Sequence, residues 1–217
     1  MTDQSRRAAV IAVDGPAASG KGTIARALAA HFRLPHMDTG LLYRAIALRL
    51  WRWGGDPGNE FEALRACHEL GFDPEDPELR SEPVSKIASM ISAYPSVRAA
   101  LLERQQEFAG QPGGAVLDGR DTGTVIAPGA DAKLFVTATA EVRAQRRLKE
   151  LEGRGIAAHY DDVLADIRSR DERDSQRDVA PLRPASDSML LDTSDLTPEQ
   201  AIAEAVRLVC AKLDQVR

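Results

Sequence analysis

The chain has 217 residues, of which 43% are hydrophobic and 28% charged, a composition typical of one globular domain. Its net charge of −5 disfavours a protein that coats nucleic acid, because such proteins need a strongly cationic surface. The two cysteines, Cys67 and Cys210, form no C-x-x-C pair, which excludes a zinc ribbon and fits a reducing compartment. With neither an apolar leader nor a run of about 18 apolar residues, the chain is expected to be soluble, cytoplasmic and independent of membranes.

Short buried strands and helices alternate at the start of the chain. The apolar run Ala8–Asp14 ends in Gly-Pro and predicts a strand that is buried on both faces. Apolar residues at steps of three and four predict a helix over 21–31. A brief strand is expected at 34–37, and a second helix at 39–53 is ended by the glycine-rich segment 54–60.

The middle of the chain contains the most irregular region. Residues 60–83 predict a helix followed by a loop rich in proline and acidic residues. Two further helices are expected at 84–93 and 96–109. Two buried strands follow at Ala115–Asp118 and Lys133–Thr137.

The last third is dominated by charged helices. The expected elements are a helix at 141–152, a glycine hinge at 153–155, a charged helix at 161–177, a strand at 188–191 and a closing helix at 197–216. The basic run Arg143–Lys149 in the first of these helices allows two interpretations: it is mainly solvent exposed, which is the favoured one, or one of its arginines faces the phosphates of a nucleotide. Five short strands that alternate with helices predict an α/β fold, with a parallel sheet covered by helices on both faces. Ligands of such sheets bind at the carboxyl ends of the strands.

The residues after the first predicted strand match a phosphate-binding loop. They are Gly15, Pro16, Ala17, Ala18, Ser19, Gly20, Lys21, Gly22 and Thr23. A polyphosphate needs several backbone N–H groups aimed at it, and glycines allow the close approach. The N-terminus of the following helix adds positive potential, and Lys21 would reach the β- and γ-phosphates. Gly22 takes the place where Ser or Thr usually follows the lysine, and the form Lys-Gly-Thr is typical of nucleoside monophosphate kinases.

Three polar segments accompany this loop: DTGLLYR at 38–44, DGRDTGT at 118–124 and RDERDSQR at 170–177. Together with GPAASGKGT, AYPSVR and LLDTS, they resemble the bacterial cytidylate kinases over nearly the whole chain. The resemblance implies a single P-loop kinase domain over 1–217, a three-layer sandwich with a mobile helical lid at 153–180. Many members carry a longer insert on the nucleoside monophosphate side, so the insert at 54–83 is shortened here.

The resemblance also assigns roles to individual residues. It implies that the acceptor phosphate is bound by Thr39, Arg44, Arg120 and Arg177, the base by Ser89, Arg98 and Asp121, and the ribose by Arg170 and Asp174, with Arg80 a further substrate contact. Arginine suits phosphate because its fork binds two oxygens, and a carboxylate accepts a hydrogen bond from the cytosine amino group. The i, i+4, i+7 spacing is expected to place residues 170, 174 and 177 on one helix face.

The implied reaction is direct transfer of the γ-phosphoryl group of ATP to CMP or dCMP. Lys21, Arg120 and Arg177 are the expected catalytic groups, and Mg²⁺ is expected near Thr23 and Asp118. Catalysis then depends on positioning and charge neutralisation, while a closing lid excludes water. The protein is expected to act as a monomer on small nucleotides, without nucleic acid.

Three alternatives remain open at the level of sequence. A related kinase for UMP or AMP would share most of these motifs. A GTPase switch is disfavoured because guanine selection commonly uses an Asn-Lys-x-Asp segment, and Asn59 is the only asparagine in the chain. A nucleic-acid-dependent ATPase module is disfavoured by the length and the negative net charge.

Overall fold

The computed structural model describes residues 9–68 and 71–215. Ala8 and Val216, at the ends of two predicted elements, lie outside these residues. The chain divides into two compact units. The first comprises Met1–Met37 and Phe108–Arg217, and the second is the continuous segment Asp38–Glu107.

A five-stranded sheet forms the centre of the first unit, as the sequence predicts. Its strands are β1 (Val10–Asp14), β2 (His36–Asp38), β3 (Ala115–Gly119), β4 (Ala132–Thr137) and β5 (Met189–Asp192). Their order is β2-β3-β1-β4-β5. Strand β1 pairs in parallel with β3 and β4, and β4 pairs in parallel with β5. The carboxyl ends of β1, β3 and β4 therefore lie side by side.

Eight helices lie along the described chain. They are α1 (Lys21–Phe32), α2 (Thr39–Trp53), α3 (Glu60–Cys67), α4 (Glu82–Ile91), α5 (Pro95–Ala109), α6 (Ala140–Gly153), α7 (Tyr160–Gln176) and α8 (Pro198–Gln215). A 3₁₀ turn at Pro77–Arg80 and a π-helical turn at Thr122–Ile126 complete the structure. Across 9–68 and 71–215, none of the helices has the length and apolar character needed to span a membrane.

Helices α1 and α8 bury one face of the sheet. Ile24 and Leu28 of α1 and Val209 of α8 belong to the same buried cluster as Ile11 and Val13 of β1. Residues that point to the opposite side of the sheet are just as well shielded: Ala12 and Leu117 are at most 1% exposed. This burial on both faces explains why the strands are continuous apolar runs.

Helices α6 and α7 form a pair with a small core of its own. Ala144 and Leu151 of α6 pack with Val163 and Ile167 of α7. Gly155, between the two helices, has φ 72°, which a glycine adopts without strain. The predicted lid, 153–180, contains this glycine and the whole of α7, and its mobility stays a prediction.

The second unit is helical. Asp38 caps the N-terminus of helix α2, where its side chain accepts a hydrogen bond from the N–H of Gly40 (2.9 Å). Gly54, whose φ is 74°, caps the C-terminus. Its core includes Ile46, Leu50 and Leu79, all fully buried. The predicted insert, 54–83, lies entirely within this unit and holds α3 and the 3₁₀ turn.

Candidate active site

The loop between β1 and α1 has the backbone conformation of a phosphate-binding loop. A side chain at Gly15 would place its Cβ 2.0 Å from the carbonyl oxygen of Val136 in β4, so only glycine fits. Gly20 caps α1 in the left-handed region with φ 88°, and its carbonyl accepts hydrogen bonds from Thr23 and Ile24, each 3.1 Å long. The loop thus delivers the N-terminus of α1 to the carboxyl end of β1, where an anion binds favourably.

Side chains from α6 and from the end of β5 hold this loop in place. The guanidinium of Arg143 donates to the carbonyl oxygen of Ala17 (3.3 Å). The carbonyl oxygen of Ser19 accepts from the hydroxyl of Thr193 (3.0 Å) and from Arg146 (3.5 Å). The prediction that the basic run of α6 is mainly exposed is therefore wrong for Arg143, which is only 5% exposed. Its charge is neutralised by Asp171 of α7, 28 positions away. A partner at that separation cannot be predicted from the local sequence.

Lys21 and Asp118 lie at the start of α1 and in β3. The ammonium nitrogen of Lys21 is 4.0 Å from one carboxylate oxygen of Asp118, and the other oxygen is 2.7 Å from Nε2 of His36. Asp118 is buried, whereas Thr23 is exposed and its hydroxyl accepts a hydrogen bond from Arg26 (3.4 Å). The sequence analysis did not identify His36 as a partner of Asp118.

The oxygen atoms of Thr23 and Asp118 suit Mg²⁺. A Cβ built on Gly22 would lie 3.7 Å from the Asp118 carboxylate, so that carboxylate lies beside the first turn of α1, which also carries Thr23. Mg²⁺ in phosphoryl-transfer sites takes one or two protein oxygens and fills its shell with phosphate and water. Over residues 9–68 and 71–215, no group of three His, Cys, Asp or Glu side chains could hold a metal ion. The residues present fit a metal that is shared with a bound polyphosphate.

The DGRDTGT segment forms a tight turn that is bound to Asp14, a residue that the sequence analysis missed. The Asp14 carboxylate accepts from the backbone N–H of Thr122 (2.8 Å), the Thr122 hydroxyl (2.7 Å) and the N–H of Gly123 (2.8 Å). Burial raises the pKa of Asp14, although these hydrogen bonds oppose the rise. The only sequence signal for this role is an acidic residue at the end of an otherwise apolar strand.

Five of the predicted substrate residues form one charged cluster in the first unit. Nε of Arg120 donates to Asp174 (2.8 Å), and a guanidinium nitrogen of Arg177 lies 3.5 Å from Asp121. Burial raises the pKa of Asp174, but the positive charges of Arg120, Arg170 and Arg177 outweigh it, so the pKa is lower than usual. The RDERD run is therefore more than a solvated helix face, since Asp174 is only 4% exposed.

Arg177 reaches this cluster from outside the helix. Helix α7 ends at Gln176, and Arg177 has extended backbone angles, φ −63° and ψ 141°. Its Nε donates to the carbonyl oxygen of Ala180 (2.6 Å). The prediction that residues 170, 174 and 177 share one helix face is wrong for Arg177, because the chain turns away just before the Asp-Val-Ala-Pro segment.

The other predicted site residues lie in the second unit, in or near helices α2, α4 and α5. Arg44 donates to the carbonyl oxygen of Leu79 (3.1 Å) and to the hydroxyl of Ser85 (2.6 Å). Arg98 is 8% exposed, donates to the carbonyl oxygen of Ser92 (3.2 Å) and lies 5.8 Å from the ring centre of Tyr43. Ser85 and Tyr43 are further residues that sequence reasoning missed.

Three more predicted residues of this unit differ in their exposure. Ser89 is 4% exposed, and its hydroxyl has no hydrogen-bond partner in the described structure. A buried hydroxyl without a partner is unfavourable, and a polar ligand would satisfy it. Thr39, in the first turn of α2, is also buried, whereas Arg80 is exposed at the end of the 3₁₀ turn.

Comparison with known proteins shows the family to which the chain belongs. The family model described as cytidylate kinase matches residues 11–211. The chain is 54% identical over 209 residues to the cytidylate kinase of Methylocella silvestris, covering 96% of this chain and 97% of that protein. It is 57% identical over 205 residues to that of Xanthobacter autotrophicus, covering 94% and 98%.

Among solved structures, an uncharacterized protein from Eubacterium ventriosum aligns with a TM-score of 0.54 at 14% identity. The alignment covers 96% of this chain and 99% of that one, and it supports the α/β fold alone. The family model and the two relatives cover nearly the whole sequence, including every motif described above. The chain belongs to the cytidylate kinase family.

Proposed function

We propose that this protein transfers the γ-phosphoryl group of ATP to CMP or dCMP, giving ADP and the pyrimidine nucleoside diphosphate. The observation that carries the proposal is the buried cluster of Arg120, Asp121, Asp174 and Arg177, in the same unit as the phosphate-binding loop. The cluster combines phosphate-binding cations with a carboxylate suited to the cytosine amino group. The 54% and 57% identical relatives named cytidylate kinase support the same reaction.

The donor is held by the loop between β1 and α1. Backbone N–H groups from Gly15 to Thr23 and the positive end of α1 bind the phosphates of ATP. Lys21 neutralises charge at the β- and γ-phosphates. Asp118 lies 4.0 Å from the ammonium of Lys21 and keeps that side chain close to the sheet.

The acceptor needs cations rather than a general base. Its phosphate oxygen is already an anionic nucleophile, so catalysis rests on alignment and charge neutralisation. Arg44, Arg120 and Arg177 bind that phosphate, and the hydroxyl of Thr39 adds a hydrogen bond. Arg44 is oriented for this role by Leu79 and Ser85.

Base and sugar recognition use the remaining residues. Asp121 accepts from the cytosine amino group, while Arg98 and the unsatisfied hydroxyl of Ser89 donate to the ring acceptors. Uracil presents a carbonyl where cytosine has its amino group, and two acceptors would then face each other. Arg170 and Asp174 contact the ribose, and Arg80 is a further contact of the substrate.

Mg²⁺ is the proposed metal, held by the hydroxyl of Thr23 and by Asp118, directly or through water. When bound, it neutralises charge on the transferring phosphates. The fit rests on the oxygen donors of Thr23, in the first turn of α1, and of Asp118, in β3 beside that turn.

Water must be kept from competing with CMP as the acceptor. The lid at 153–180, which begins at the glycine-containing connection of α6 and α7, is proposed to close when both nucleotides are bound. We further propose that residues 1–217 act as one catalytic domain, as a monomer in the cytoplasm; the match of the family model to residues 11–211 supports the single domain.

A coupled assay with ATP and, in turn, CMP, dCMP, UMP and AMP tests the function. CMP and dCMP are expected to give the highest kcat/KM, and Lys21→Ala is expected to abolish most turnover while the protein remains folded. The exposed Lys149, in α6, supplies the matched control, Lys149→Ala, which should behave like the wild type. Faster use of UMP or AMP would overturn the proposed substrate.

A further inference from the structure

We infer that Asp14 is a positioning residue for base selection: its carboxylate fixes the turn that carries Arg120 and Asp121, and so sets the preference for cytosine. This inference rests on the proposed function, because it concerns the same substrate. It assigns a role in recognition to a residue of the central strand that contacts neither nucleotide in the scheme above.

Asp14 is itself rigidly placed. It is the last residue of β1, the central strand, and its backbone pairs with Gly119 of β3 on one side and with Phe135 of β4 on the other. The residue is 5% exposed. A side chain on such a backbone has little freedom, and a carboxylate without water must find its hydrogen bonds within the protein.

The turn supplies those hydrogen bonds. Two backbone N–H groups and one hydroxyl, from Thr122 and Gly123, all point at this one carboxylate at 2.7–2.8 Å. Each of these buried donors would lose its partner without the Asp14 oxygens, and an unpaired buried donor is unfavourable. The carboxylate is therefore the anchor of the turn.

The two substrate residues lie between two points that Asp14 fixes. On one side Gly119 is held by its register with the backbone of Asp14, and on the other Thr122 is held by the Asp14 side chain. Only Arg120 and Asp121 separate these points. The carbonyl oxygen of Asp121 also accepts from the N–H groups of Val125 and Ile126 (2.9 and 3.2 Å), so the whole turn follows the position of Thr122.

Asp14 and Lys133 lie on the side of the turn that faces the sheet, so close to Gly123 that a larger residue there would crowd them. A Cβ on Gly123 would lie 3.3 Å from the Asp14 carboxylate and 3.2 Å from Cδ of Lys133, closer than is usual for such contacts. The ammonium of Lys133 is held by the carbonyl oxygen of Pro128 (2.6 Å) and by Asp187 (2.9 Å), which fixes this second wall. A change at Asp14 is therefore expected to move the turn outward, and Asp121 with it.

The variant Asp14→Asn tests the inference, because its amide NH₂ would face an N–H donor of the turn. We expect the KM for CMP to rise about tenfold and the ratio of kcat/KM for CMP over UMP to fall several-fold, with the KM for ATP within twofold. The matched control is Asp131→Asn at the opposite end of β1, where Asp131 accepts from the N–H of Val10 (2.9 Å). This control should keep the wild-type CMP/UMP ratio.

A milder pair of variants keeps the inference testable if Asp14→Asn folds poorly. Thr122→Val removes only the hydroxyl donor and should lower the CMP/UMP ratio less, while Thr122→Ser should stay closer to the wild type than Thr122→Val. An unchanged CMP/UMP ratio in both Asp14→Asn and Thr122→Val, or equal increases in the KM values for CMP and ATP, would overturn the inference alone. A wild-type protein that does not phosphorylate CMP would instead refute the proposed function, and the inference with it.

Discussion

The charges of three arginines of the candidate site, Arg120, Arg170 and Arg177, act together on Asp174. Because its folded-state pKa is lowered, its interactions stabilise the fold when the carboxylate is ionised. This contribution is fully present above its ordinary pKa of 3.8 and is lost as the pH falls through the lower folded value. We expect Asp174→Asn to reduce the free energy of unfolding at pH 7 by about 3 kcal/mol, since it removes a buried carboxylate charge that the charges of Arg120, Arg170 and Arg177 stabilise.

Urea denaturation of wild type and Asp174→Asn at a series of pH values measures this contribution. The difference between the two should be constant from pH 7 to pH 5 and should shrink below pH 4. Asp166→Asn, at an exposed position of the same helix, is the matched control and should change stability little. A difference that grows as the pH falls would contradict the charge arrangement.

The reactivity of the Cys67 thiol tests whether this side chain is buried. Burial raises the pKa of its thiol to about 11, and the thiol donates to the carbonyl oxygen of Ala63 (3.4 Å). The thiolate is the reactive form, so Cys67 should resist iodoacetamide at pH 8 in the folded protein. Cys210, which is partly exposed, is the internal comparison. Mass spectrometry of digested protein reports both sites, and preferential labelling of Cys67 would contradict its burial in α3.

At the scale of elements, two ion pairs connect α6 with α7 in contrasting surroundings. Arg143 and Asp171 form a two-bond pair (2.6 and 2.9 Å) in which Arg143 is nearly buried. Arg168 and Glu141 connect the same helices at 2.8 Å but are more than half exposed. Exposed pairs contribute about 0–1 kcal/mol, whereas loss of one partner from a buried pair leaves an uncompensated charge.

We therefore expect Asp171→Ala to lower the free energy of unfolding by about 2 kcal/mol, and Glu141→Ala to lower it clearly less, because solvent screens the exposed pair. Chemical denaturation measures both. Because Arg143 also bonds to Ala17 of the phosphate-binding loop, Asp171→Ala should in addition raise the KM for ATP. Equal effects of the two variants on stability would show that burial does not distinguish the pairs.

Most elements follow from local sequence, and the exceptions depend on distant residues. Helix α1 begins at Lys21 as predicted, because the glycine cap and the apolar spacing are both local. The π-helical turn at Thr122–Ile126 is bound at its start by Asp14, which lies 108 positions earlier than Thr122, so local sequence does not reveal this contact. Likewise, Arg143 is buried because Asp171 of another helix neutralises its charge. The position of Arg143 within α6 therefore does not predict its burial.

In the candidate site, too, some features follow from local sequence and others depend on distant residues. The phosphate-binding loop is a contiguous motif, and its backbone geometry agrees with the prediction from its glycines. The positions of Arg120, Arg177 and Asp174 were expected only through resemblance to a family, since each is an ordinary surface residue when taken alone. The groups that orient them, including Asp14 and Ser85, become recognisable only when the folded chain brings distant segments together.

At the scale of the whole molecule, the second unit is one continuous segment, Asp38–Glu107. In the sequence this segment lies between the two parts of the chain that form the first unit. The proposed CMP contacts include Arg44 from this segment and Arg120 from the rest of the chain. Ligand binding to the native state alone stabilises it by about 2.7 kcal/mol at a ligand concentration of 100 Kd. The effect of CMP on global unfolding therefore tests both assignments with one measurement.

We expect saturating CMP to raise the melting temperature of the wild type by about 5–10 °C, since 1 kcal/mol corresponds to about 2–4 °C for a chain of this size. Arg44→Ala and Arg120→Ala should each lose most of this shift at the same CMP concentration, because each removes a cation from the acceptor phosphate. Arg207→Ala, at an exposed position of α8, should keep the full shift. Differential scanning calorimetry with and without CMP gives the three comparisons. A full shift in Arg44→Ala would remove that residue from the proposed binding scheme.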